Sequence, residues 1–117
     1  MITFRRFTIP IFEVVLKVYI FDDQSEIESV TGEQRPSKGL TFTSESFDPI
    51  GVAIDSHYPS TIVHEAEHVK NYIWAHIGYT PQRDNDEVDA YLLKYIYNKI
   101  VGVFYKHIGE NPKGLAS

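Results

Sequence analysis

Residues 61–74 read TIVHEAEHVKNYIW, and the architecture turns on this stretch. Before it, short runs rich in β-branched and aromatic residues alternate with turn formers, as strands do. Within it, the period changes to that of a helix. Pro59-Ser60-Thr61 is a helix start, with Ser60 or Thr61 as the candidate N-cap. The helix is expected to run from 61 to about 77, where Gly78 occupies the usual C-terminal glycine position.

Working outward, residues 1–21 loosely imitate a signal peptide, with Arg5 and Arg6 ahead of an apolar stretch. Glu13 and Lys17 interrupt that stretch and no small-residue cleavage site follows, so the segment reads as a strand, clearest over 11–21. It is too short and too charged to span a bilayer. Residues 22–39 are polar and rich in turn formers, which predicts a loop or the mobile tip of a hairpin. Residues 40–47 and 50–54 read as a second and third strand, separated by a turn at Asp48-Pro49. Beyond Gly78, the polar loop 79–86 leads to a second helix from near Asp86 to about His107. Asp86, Glu87 and Asp89 in its first turn suit the helix dipole. The tail, 109–117, is expected to fray. Strands first and then two helices make an α+β domain over 1–117, a small antiparallel or mixed three-stranded sheet against a helical pair.

Composition narrows the chemistry. The chain has 117 residues, 43% of them hydrophobic, and a net charge of -5 at pH 7. Its longest basic run is Arg5-Arg6, which disfavours nucleic-acid binding. There is no cysteine, so disulfides, thiolate metal sites and a cysteine nucleophile are excluded. Any transition metal must be held by histidine and carboxylate. The absence of disulfides fits a reducing compartment, and the expected location is the cytoplasm.

The residues that carry chemistry lie inside the opening stretch. On a helix, His64 and His68 share one face and can direct ring nitrogens at one ion. Glu65, one step round, can reach a water held by that ion and act as general base. A catalytic zinc site needs three protein ligands and an open position. Glu87, 19 positions beyond His68 at the start of the second helix, is the leading third candidate, because a helical hairpin brings that end back beside the first helix. Helical phase offers Asp89 instead: it lies on the apolar face marked by Leu92, Leu93, Ile96, Ile100, Val103 and Phe104, whereas Glu87 points nearly opposite. Asp84 and Asp86 remain as further candidates, and Asp89 can also serve as partner to a ligand histidine. Other divalent ions that favour nitrogen and oxygen remain open beside Zn2+.

His64-Glu65-Ala66-Glu67-His68 followed by Glu87-Val88-Asp89-Ala90 resembles the gluzincin zinc metallopeptidases, and most of all compact intracellular proteins of phages and mobile elements. The resemblance covers residues 60–97. It implies a minimal zincin-like fold, His64, His68 and Glu87 as zinc ligands, Glu65 as base, and a peptide lying antiparallel along an edge strand, 40–47 or 50–54 being the candidate edges. It also implies a side chain that stabilises the developing oxyanion, for which Tyr91 is the first candidate and Tyr79, His76, His57 and His107 are the others. A peptide or protein partner is expected, with a homodimer as one way to complete the cleft of so small a chain. The rival expectation is a metal-stabilised protein-binding module with weak or no catalysis. The third is a domain without metal, its two histidines ordinary surface or packed side chains.

Overall fold

The computed structural model describes residues 1–32 and 38–110. It is an α+β arrangement of β1 (Thr3–Ile9), β2 (Val14–Phe21), α1 (Gln24–Thr31), β3 (Gly39–Thr43), β4 (Ile50–Asp55), α2 (Thr61–Ile77) and α3 (Glu87–Glu110). The sheet has four strands in the order β1-β2-β4-β3. β1 and β3 each pair antiparallel with their neighbour, and β2 pairs parallel with β4. A parallel pair needs a crossover, and this one carries α1 and β3.

The sheet thus has one strand more than the sequence predicts, because residues 1–21 form two strands and not one. The turn between them, Pro10–Glu13, contains no glycine. It is made by Ile11 at φ 73° and Glu13 at φ 56°, closed by backbone hydrogen bonds from Phe12 to Pro10 and from Glu13 to Ile9. Residues 22–39 also depart from expectation, since they hold a two-turn helix. Asp23 caps it by accepting from the Ser25 amide, and Glu26 accepts from the Asp23 amide. Gly32 ends it in the left-handed conformation. The rest of that expected loop, 33–37, lies outside the described residues, as does the expected frayed tail from 111 on.

The two long helices match their predicted limits closely. At the end of α2, Gly78 donates to the Ala75 carbonyl and Tyr79 to the Trp74 carbonyl, the double closure of a helix C-terminus. At its start Ser60 makes no side-chain cap bond.

One core lies between the sheet and the pair α2–α3. Leu16, Val18 and Ile20 of β2 and Ile50, Val52 and Ile54 of β4 meet Ala66, Val69 and Ile73 of α2 and Ile96, Ile100 and Phe104 of α3. Leu93, predicted on the same face of α3, is only partly buried. On the other face of the sheet Phe21 and Ala53 pack with Ile27 of α1. Beside them an aromatic row crosses the strands: Phe4 lies 4.9 Å from Tyr19, and Tyr19 lies 6.2 Å from Phe42. Phe42 passes over Gly51 so closely that a Cβ there would fall 2.3 Å from its ring. β4 is paired on both sides, so 50–54 is not an edge; among the described residues the edge strands are β1 and β3. No helix among the described residues is long and apolar enough to cross a membrane.

Candidate metal centre

With about 100° per residue, Ala66, Val69 and Ile73 set the buried direction of α2, and His64 and His68 point away from it into solvent. Their Nε2 atoms are 3.3 Å apart, with ring planes at 80° and centroids 4.9 Å apart. Two nitrogens bound to one tetrahedral zinc at about 2.0–2.1 Å each are separated by about 3.3–3.4 Å. That separation suits a single tetrahedral ion, and it is equally that of a hydrogen bond between the two rings.

Glu65 faces the other way, toward β3. It is buried, and Thr41 donates from its hydroxyl to Glu65 Oε1 at 2.7 Å. The second oxygen, Oε2, stands 3.9 Å from His64 Nε2. Gly39 makes room for this carboxylate: a Cβ there would fall 2.9 Å from Glu65 Cγ and 2.6 Å from the Thr61 methyl. An open hollow of about 270 Å³ is lined by Gly39, Leu40, Thr41, His64, Glu65, His68 and Tyr72. A second hollow, bounded by Val63, His64, Glu67, His68 and Asn71, opens on the other side of the histidine pair.

α3 approaches α2 along a different flank, that of Lys70 and Trp74, roughly 120° round the helix from the histidines. Asp89, carried on the apolar face of α3 as its phase predicts, meets that flank. It accepts from Trp74 Nε1 at 2.6 Å and from Lys70 Nζ at 2.9 Å, and Lys70 also donates to Glu67 at 2.7 Å. Burial pulls the Lys70 ammonium down, but these hydrogen bonds outweigh it and leave its pKa above the ordinary lysine value. Asp89 is thus engaged by a lysine and an indole. Glu87 is exposed at the first residue of α3, and Asp84, Asp86 and Ala90 are exposed as well. Among the described residues, no group of three His, Asp or Glu side chains is placed to hold a metal ion.

The oxyanion candidates are dispersed. Tyr91 lines an apolar groove with Ile11, Phe12, Trp74 and Val88. Tyr79 packs on Trp74, with ring centroids 4.7 Å apart. His76 Nδ1 is 2.7 Å from the Ser46 carbonyl, and His57 sits exposed after β4. His107 is fully buried, with Nδ1 2.7 Å from the Thr3 hydroxyl and Nε2 2.8 Å from Asp22, which also accepts from Ser56 at 2.6 Å. Burial pushes the Asp22 carboxyl up, but the His107 and Ser56 hydrogen bonds outweigh that and hold it down to about 2.

Four residues that line the hollow carry no expected site role: Gly39 and Tyr72, and Leu40 and Thr41 of the expected edge strand 40–47. Tyr72 had a sequence signal, since it continues the i, i+4 series from His64 and His68 by one more turn. It stacks on Phe47, with ring centroids 5.7 Å apart, and its hydroxyl makes no hydrogen bond among the described residues. Gly39 and Thr41 reach the site only through the packing of β3 on α2, which no local pattern encodes. Comparison with protein-family models, with curated proteins and with solved structures gave no match in any of the three.

Proposed function

We propose that the chain is a zinc-dependent hydrolase of metallopeptidase type. The observation that carries this reading is the convergence of His64 Nε2 and His68 Nε2 at 3.3 Å, with Glu65 Oε2 3.9 Å from the former, in an open hollow beside an edge strand. The resemblance of residues 60–97 to gluzincins points the same way.

His64 and His68 would hold the ion. A bound zinc lowers the pKa of water to about 7 and polarises a carbonyl. Glu65 takes the proton of the attacking water as the new carbon–oxygen bond forms, then passes it to the amine nitrogen as the carbon–nitrogen bond breaks. The substrate backbone lies along β3, the edge strand adjoining the hollow, as an added strand. The resemblance implies Glu87 as the third protein donor, and Tyr72 is a further side chain that lines the hollow. The cysteine-free chain favours the cytoplasm.

A second reading supplies from another chain the third donor that no described His, Asp or Glu places beside the pair. In it the chain is a metal-stabilised protein-binding module, of the kind mobile elements carry, and a second copy or a partner completes the site.

Cleavage of a pool of fluorescence-quenched peptides by zinc-loaded wild type and Glu65→Gln separates the two. The hydrolase reading expects equal zinc content and a loss of at least about 100-fold in rate for the variant. Equal rates would remove Glu65 as the base. No cleavage by either protein would leave the binding module.

A further inference from the structure

We infer that Thr41 is a positioning residue that links docking of a peptide on β3 to the aim of the base Glu65. The inference rests on the hydrolase reading above.

Two sets of atoms on Thr41 point in useful directions. The side chain faces α2, and its hydroxyl donates to Glu65 Oε1 at 2.7 Å and approaches the Glu65 carbonyl at 3.4 Å. The backbone faces the open edge. The Asp55 amide donates to the Lys38 carbonyl at 2.8 Å, which makes residues 38 and 55 a hydrogen-bonded pair. Such pairs alternate along an antiparallel ladder. Leu40↔Ala53 and Phe42↔Gly51 are then the next hydrogen-bonded pairs, and Thr41, opposite Val52, turns its N–H and C=O away from β4. Among the described residues no strand pairs with β3 on that side.

An extended peptide that pairs with β3 must therefore hydrogen-bond to Thr41. The same residue fixes one oxygen of Glu65 and leaves the other, Oε2, on the histidine side. Gly39 supports this aim from one pleat away, because any side chain there would press on Glu65 Cγ. A carboxylate free to rotate loses the alignment that general-base catalysis needs, and a displacement of about 1 Å costs up to about 100-fold.

Thr41→Val keeps the shape of the side chain and removes the hydroxyl, and Thr41→Ser keeps the hydroxyl. The test measures kcat and KM on the quenched-peptide pool well below the melting temperature, with zinc affinity by titration of the metal alone. The expected result is a kcat about 10-fold lower for Thr41→Val, with KM and zinc affinity unchanged because the strand backbone and both histidines are intact, and recovery in Thr41→Ser. A purely structural role would lower the melting temperature and leave kcat of the folded protein unchanged. Full kcat in Thr41→Val, with Glu65→Gln inactive, would overturn the inference and leave the hydrolase reading standing. Loss of zinc in Thr41→Val would also overturn it, since Thr41 would then act on the metal seat. Zinc-loaded wild type that cleaves no peptide would remove the hydrolase reading and this inference together.

Discussion

Asp89 accepts a 2.6 Å hydrogen bond from the indole N–H of Trp74, and this bond, with the 2.9 Å contact to Lys70, ties α3 to α2. The side chain of Lys70 is only 6% exposed, so its charge depends on these partners. Asp89→Ala leaves a buried ammonium with Glu67 alone and an indole N–H unpaired. The expected cost is about 3 kcal/mol in urea unfolding. Zinc affinity is expected to stay at the wild-type level, because Asp89 serves the helix pair and not the ion. Loss of zinc with little loss of stability would reverse that assignment.

The hydrogen-bonded group Ser56–Asp22–His107–Thr3, buried except for Asp22, gives the fold an acid limit. Asp22 is held at about 2, against an ordinary 3.8. A carboxyl depressed in the folded state contributes its stability above the unfolded value and loses it as the pH falls through the folded one. Stability is therefore expected to drop between about pH 4 and pH 2, by roughly 1–2 kcal/mol after allowance for the partial exposure of Asp22. Urea midpoints at pH 7, 4 and 2.5 measure the drop. Asp22→Asn is expected to flatten it, and an unchanged profile would deny Asp22 the role.

Phe42 and Gly51 are expected to be strongly coupled. A methyl group at residue 51 meets the Phe42 ring at 2.3 Å, so Gly51→Ala displaces the ring at a cost of about 1–3 kcal/mol. Once Phe42→Ala has removed the ring, the same change should cost little. A double-mutant cycle by thermal unfolding reads the difference, and additive losses would contradict the close contact.

Ile11 holds φ 73° and is 91% exposed, so it bears backbone strain with little burial in return. Ile11→Gly relieves the strain and is expected to raise stability by about 0.5–1 kcal/mol, net of the entropy that glycine adds to the unfolded chain. A lower melting temperature in the variant would show that the Ile11 side chain holds the turn.

Much of this architecture was legible in the sequence because local signals agreed. The apolar spacing of α2 and Gly78 gave its limits, and the face of α3 from Leu92 to Phe104 is largely the face it buries. The β1–β2 turn was hidden because Ile11 and Glu13, not glycine or asparagine, take its left-handed positions. α1 announced itself only through the Asp23–Glu26 capping box, inside a stretch whose polarity reads as loop. The same divide runs through the site. His64, Glu65 and His68 lie within one turn and could be read together. Thr41 and Gly39 arrive from a strand more than 20 residues away, by a register that sequence does not display. Glu87 depended on the flank by which α3 would meet α2; the Asp89 contacts fix that flank at Lys70 and Trp74.

Zinc titration of the wild type, His64→Ala and His68→Ala probes the histidine pair itself. One zinc ion per chain is expected in the wild type, with an affinity at least about 100-fold weaker in each variant and the fold preserved. A wild type that takes up no zinc, or variants that bind it as tightly, would rule out a zinc site at His64 and His68.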